Sequence, residues 1–276
     1  MVQKTNNVAR AAQYILLLAL TVITLLPLIW MLSASFKLST EVFTSPIRWI
    51  PETFHWENYI QIWQKVDFGR FTWNSAKLTV LVTIIQLLTC SFAAYGFTKC
   101  RFPGRDILFL GYVATIAIPW QTFMLPQYMM MNKMHLVDSH LGYVLLQSFG
   151  AFGVFLLRQF FLGIPNELLE AARIDGLSEY GIYFRIVLPL AKPAMATLAI
   201  FTFVTIWNDY MGPMIYFNTE ANKTIPLGIR MFVGQYSADY QLIMAASVLS
   251  LVPVLVMYVF CQKYFVQGVA TSGLKG

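Results

Sequence analysis

The chain has 276 residues, of which 58% are hydrophobic and only 12% charged. Soluble domains carry roughly 25% charged residues, so this composition excludes a water-soluble enzyme, and its hydrophobicity excludes a disordered chain. The net charge of +6 is scattered between long apolar stretches, as flanks of membrane spans are, and does not form a nucleic-acid surface.

A spanning helix needs about 20 mostly apolar residues. Six charge-poor runs meet that length, in chain order. The first lies between Arg10 and Lys37, with the apolar core Tyr14–Leu32. It is too long for a signal peptide, and Pro27-Leu28-Ile29-Trp30 stands where small residues would be cleaved. An outer connection follows to about Phe71, with Pro46, Pro51 and the aromatics Trp49, Phe54, Trp56, Tyr59 and Trp63, which read as interfacial anchors. The further runs are Lys77–Lys99, Asp106–Lys133, Asp138–Arg158, Lys192–Asp209 and Asp239–Lys263. None alternates apolar and polar residues as barrel strands do, so the expected fold is an all-α membrane protein of six transmembrane helices. Eleven of the 19 Lys and Arg fall on one side if both termini are cytoplasmic, led by Lys99, Arg101 and Arg105; this predicts a multi-pass cell-membrane protein with its termini inside.

Several chemistries leave no trace. No P-loop, HExxH, CxxC or Gly-x-Ser-x-Gly occurs, so no catalytic or metal site is expected. Cys90, Cys100 and Cys261 offer no disulfide framework. His55, His135 and His140 lack partners at ligand spacing.

The inner loop Arg158–Lys192 holds four basic and four acidic residues, a polarity that suits protein docking. Pro165-Asn166 is a helix start, with Asn166 as cap and Glu167 and Glu170 in the first turns. Glu170 and Arg173 are spaced to pair. Ala171 and Ala172 leave room for a close neighbour, Asp175 follows, and Gly176 can end the helix in a left-handed conformation. A second helix is predicted from Ser178 to about Val187, stopped by Pro189.

Glu170-Ala171-Ala172, Gly176, Ile186 and Leu188-Pro189 resemble the EAA loop of bacterial ABC-importer permeases. Ile118-Pro119, Pro126-Gln127-Tyr128, Leu136-Val137-Asp138-Ser139, Trp207-Asn208-Asp209 and the segments Tyr264–Gly268 and Gly273–Gly276 resemble the maltose-type carbohydrate permeases, in particular the second, shorter permease of a pair. The resemblance implies a type I importer fold with a cytoplasmic coupling helix. Its domains would be 1–71 (tail, first helix and outer loop), 72–262 (permease domain, with the first span packed outside it) and 263–276 (cytoplasmic tail). It implies as partners a second permease subunit, an ATPase dimer carrying ATP and Mg, an extracytoplasmic solute-binding protein and membrane lipid, with no cofactor on this chain. Glu170 would pair with a basic ATPase residue.

Intramembrane ionisable residues are functional candidates, and Asp209 is the one carboxylate within a run. With Asn208 and Trp207 it forms one candidate solute contact; Trp120, Gln121 and Tyr128, after the helix-weakening Pro119, form another. The expected function is import of a carbohydrate, an oligosaccharide foremost. A glycerol-phosphate importer is the alternative, and a self-contained secondary transporter, which would show a repeat and several buried charges, a more distant one.

Overall fold

The computed structural model describes residues 7–235 and 237–273, with side chains over 10–235 and 237–262. Among these, the regular elements are helical and no strand forms; Val233 and Ala238 make one isolated bridge. Three helices are by themselves long and apolar enough to span a membrane: Arg10–Ala34, Phe68–Lys99 and Tyr240–Gln262. Three bent pairs pass the same test together, and counted as one span each they bring the total to the expected six.

The bends follow local chemistry. Where one straight third span was expected, Arg105–Ala117 and Trp120–Lys133 meet at 101°. Pro119 has no amide hydrogen and pushes Ile118 into an extended conformation (φ −86°, ψ 116°). The fourth run is broken between His140–Gln147 and Ala151–Leu162, which meet at 42°. The fifth, Lys192–Trp207, is entered at 78° from the helical segment Glu179–Leu190. Pro189 lies one residue before the end of that segment, which runs past the expected Val187 to Leu190 before it bends. The preceding residues Tyr183–Val187 form a π-helical turn. The last helix runs on to Gly273; the side chains of the C-terminal segment Tyr264–Gly268 and the final residues 274–276 lie outside the described residues.

The chain divides into two compact units, Met1–Phe68 with Gly228–Val252, and Gly69–Leu227 with Pro253–Gly276. In the first, the apolar window of Arg10–Ala34 has no buried residue. The outer-loop aromatics pack on one another: Phe36 meets Trp56 at 4.6 Å and Tyr59 at 5.3 Å, and Trp49 lies edge-on to Trp30 at 5.7 Å. Lys37 is 1% exposed; its ammonium lies over the Trp30 ring and donates to the Arg48 carbonyl, which satisfies the buried charge.

In the second unit, one core gathers Ala94, Tyr95, Leu157, Phe161, Leu169, Ala172, Ile182 and Tyr183. It ties the inner loop to the end of Phe68–Lys99. A second core holds Leu78, Val82, Met131, Tyr143, Ile206, Tyr216 and Phe217. Asp138, in the left-handed region at φ 59°, joins two loops near this core. Its Oδ1 accepts from the amides of Asn218 (3.0 Å) and Thr219 (3.1 Å) and from the Asn222 carboxamide (3.0 Å). Burial raises its pKa, but these donors more than offset that and hold the carboxyl below its ordinary range.

Candidate functional site

The inner loop is built around the helix Asn166–Ile174. Asn166 is the first helical residue and not the cap: Pro165 precedes it with φ −58° and ψ 136°, and no side chain caps the turn. The Asn166 carboxamide oxygen instead accepts from Lys99 Nζ (3.0 Å), which also donates to the Ile164 carbonyl (2.7 Å). The lysine at the end of Phe68–Lys99 thus fixes where the loop helix begins.

Its far end closes as a Schellman motif. The Leu177 amide donates to the Ala172 carbonyl (3.0 Å) and the Gly176 amide to the Arg173 carbonyl (3.0 Å). Gly176 has φ 84°, as the sequence required, and a side chain there would be strained.

The helix has two faces, and they separate the alanine pair. Ala172 is 4% exposed and Leu169 2%, both packed in the chain's own core. Ala172 therefore does not offer the close approach expected of it. Glu170, Ala171, Arg173, Asp175 and Gly176 are exposed, and Ile174 is 87% exposed. Ile186 and Leu188 are half-buried against the same core, and Pro189 is exposed.

Arg173 does not pair with Glu170 as its spacing suggested. Its Nε donates to Glu179 Oε1 (2.8 Å), and Tyr95 Oη donates to Glu179 Oε2 (2.6 Å). The Arg173 bond first, and the Tyr95 bond second, hold the Glu179 carboxyl below the usual carboxylate range; the same ion pair raises the arginine. Glu179 was missed in the sequence because the turn at Gly176 brings it back to Arg173, which linear spacing does not show. Glu170, Arg173 and Glu179 share with Lys99, Arg101 and Arg105 a basin of about 730 Å³. Ile174 and Tyr180 (72% exposed) are large apolar side chains left uncovered on this loop. An apolar residue off the buried face of an amphipathic helix is the signal that would have found Ile174.

The expected solute contacts fall out differently. Asp209 lies beyond the end of Lys192–Trp207, whose last turn closes at Asn208. It is half-buried, and both its oxygens are used: Oδ2 accepts from Tyr143 Oη (2.7 Å) and Oδ1 from the Gly212 amide (3.0 Å). Asn208 is exposed and donates to the Val204 carbonyl (2.9 Å). Trp207 is 2% exposed and stacks on Phe203 at 5.9 Å, so it presents no open face. Trp120 Nε1 donates to Gln127 Oε1 (3.0 Å), which also accepts from Tyr216 Oη (3.2 Å). Tyr128 stacks on Tyr216 at 6.4 Å, while Gln121 is exposed and apart from these bonds. Trp120 and Tyr128 thus pack on the core that contains Tyr143 and Tyr216.

All three cysteines are free, and among the described residues no group of three or more His, Cys, Asp or Glu could hold a metal ion. His140 Nδ1 lies 2.7 Å from Lys77 Nζ, a donor-only group, so it acts as acceptor there while Nε2–H donates to the Asn222 carbonyl (3.1 Å).

Broken apolar spans and a polar loop helix anchored on a spanning helix define a polytopic helical membrane protein. The chain belongs to the family of binding-protein-dependent transport system inner membrane components, whose pattern it matches over residues 5–271. It is 34% identical over 258 residues to the arabinooligosaccharides transport system permease protein AraQ of Halalkalibacterium halodurans, covering 92% of each chain. It is 31% identical to the sn-glycerol-3-phosphate transport system permease protein UgpE of Yersinia enterocolitica, over 94% of this chain and 95% of that one. In three dimensions it is similar to a chain of a bacterial ABC transporter involved in the import of the acidic polysaccharide alginate. That match has a TM-score of 0.82 and 24% identity, and covers 96% of this chain and 99% of that one. The resemblance read from the EAA loop is borne out at the level of family and fold.

Proposed function

We propose that this chain is the permease subunit of an ATP-driven importer for a carbohydrate, an oligosaccharide foremost. The observation that carries the reading is the loop helix. It is rigidly closed at both ends, buried on one face in its own core, and exposed on the other through Glu170, Ala171 and Ile174. Such an element transmits a push from a docked protein to the spanning helix that Lys99 and Tyr95 belong to. The docked protein is an ATPase dimer holding ATP and Mg, with a second permease subunit enclosing the path and an external solute-binding protein delivering the cargo. Asp175, Gly176, Ile186, Leu188 and Pro189 shape the docking loop, and no catalysis resides in this chain. Both termini face the cytoplasm. Residues 1–71 hold the first span and outer loop, 72–262 the permease domain, and 263–276 a cytoplasmic tail. The carbohydrate assignment is supported by the similarity to AraQ, and the glycerol-phosphate alternative by that to UgpE.

Purification under mild detergent tests the reading. An ATPase subunit and a second permease are expected to come along, and reconstituted vesicles to take up arabinotriose or lactose only when ATP is inside. Uptake of sn-glycerol 3-phosphate alone would establish the alternative, and uptake driven by an ion gradient without any ATPase would establish a secondary transporter.

A further inference from the structure

The geometry points to a solute-contact site at the break of the fourth apolar run, built for an uncharged saccharide and hostile to phosphorylated or carboxylated ones. This rests on the carbohydrate reading above and narrows it.

Gln86 stands alone as a carboxamide in the charge-free run Lys77–Lys99. It lies about 14 Å along the helix axis from Lys77 and about 20 Å from Lys99, deep in the apolar stretch. Its Nε2 donates to the Gln147 carbonyl (3.2 Å), and its Oε1 accepts from the Thr202 hydroxyl. The Gln147 carbonyl is free because the helix stops there. Next to it the Ser148 carbonyl accepts from Thr89 Oγ1 (2.6 Å). At Gly150 a Cβ would sit 2.9 Å from Gln86 Nε2, so the missing side chain admits the amide. Non-helical backbone at membrane depth is tolerated only where protein buries it or where it lines a cavity, and here both hold.

The cavity at this break has a volume of about 170 Å³, room for roughly five waters. Gln86, Gln147, Thr202 and Thr205 supply its polar atoms, and Phe152 and Phe201 its apolar wall. The two phenyl rings meet edge-on at 5.6 Å and stay 45% and 46% exposed. Amides and hydroxyls that both donate and accept, beside uncovered aromatic carbon, complement a sugar's hydroxyls and its C–H face. An interhelical staple accounts for Gln86 and Thr202. It does not account for Thr205, whose side chain is exposed at the same cavity. None of the lining residues is charged. A phosphate or carboxylate brought here would meet no cation of this chain, and an unpaired charge at this depth is strongly unfavourable. The site thus favours neutral solutes where the family's similarity alone leaves anionic ones open.

The test uses the complete complex with its partner subunits and solute-binding protein in vesicles. The probes are arabinotriose, a galacturonate disaccharide and sn-glycerol 3-phosphate. The parent is expected to carry the neutral sugar alone. Thr205→Val and Phe201→Ala should each cut its uptake per assembled complex about fivefold, the scale of one lost contact, with ATP hydrolysis and assembled yield unchanged. Uptake per complex within about twofold of the parent, whether or not yield falls, overturns the site while leaving the carbohydrate reading intact. Uptake of the galacturonate disaccharide beside arabinotriose overturns the exclusion of charge. Uptake of glycerol 3-phosphate alone overturns the carbohydrate reading itself.

Discussion

Ala171 and Ala172 are adjacent and chemically identical, yet the helix turns one outward and the other into the core. Ala172→Leu is therefore expected to overpack the cluster around Leu169 and Ile182 and to destabilise the protein by roughly 1–3 kcal/mol. Ala171→Leu should leave stability alone and weaken ATPase assembly. Thermal unfolding in detergent, with co-purified ATPase as the second readout, separates the two; equal destabilisation by both would contradict the assigned faces. Asp209 poses a similar choice. Because Tyr143 and the Gly212 amide occupy its oxygens, Asp209→Leu should lower the yield of assembled complex by leaving buried donors unpaired, at about 1–3 kcal/mol. Asp209→Asn keeps one acceptor and should be mild. In both variants uptake per assembled complex is expected to stay at the parent's level; a selective loss of uptake would return Asp209 to the solute path.

Elements show where local sequence rules hold and where neighbours override them. Gly176 at φ 84° and the two Schellman bonds were legible from a glycine after an amphipathic helix. Gly176→Ala is expected to cost about 1–2 kcal/mol and to reduce ATP-driven uptake, whereas Gly176→Asn, which tolerates the left-handed region, should retain most of both. Uptake by the alanine variant equal to the parent's would mean that the turn is not needed for coupling. The cap at Asn166 was misread because Lys99, a residue from another helix, claims its side chain. At Pro189 the helical segment ends close to where the sequence put it, running on only to Leu190 before it bends. At Pro119 the same residue type does break the run, since it follows an extended Ile118.

Across the whole chain, the proposed orientation puts Arg101 on the cytoplasmic side and Lys133 outside. Both side chains are exposed. In a background without native cysteines, Lys133→Cys should react with an impermeant thiol reagent in intact cells, and Arg101→Cys only after the membrane is opened. The reverse pattern would invert the topology and place the loop helix on the wrong side for an ATPase. The orientation follows the charge bias, which puts eleven of the 19 basic residues on the cytoplasmic side.

The sequence by itself determined the membrane class, the helical content and the family. Each rests on patterns local in the chain: apolar runs long enough to span, and an EAA loop whose residues lie within twenty positions of one another. It also marked Pro119 as a weak point of the third run, while the angle there and the break of the fourth run at Gly150 came only from the structure. Only the tertiary structure decided which polar groups are already satisfied. Asp209 and Trp120 looked available because their partners Tyr143 and Gln127 come from another helix or another turn, and Arg173 looked set to pair with Glu170 because its partner Glu179 comes from beyond a loop. Nothing in the sequence marks Gln86; only folding brings the broken backbone at Gln147 beside it. In a membrane interior, where water cannot fill an unmet hydrogen bond, what a side chain can do depends on the groups that folding brings to it.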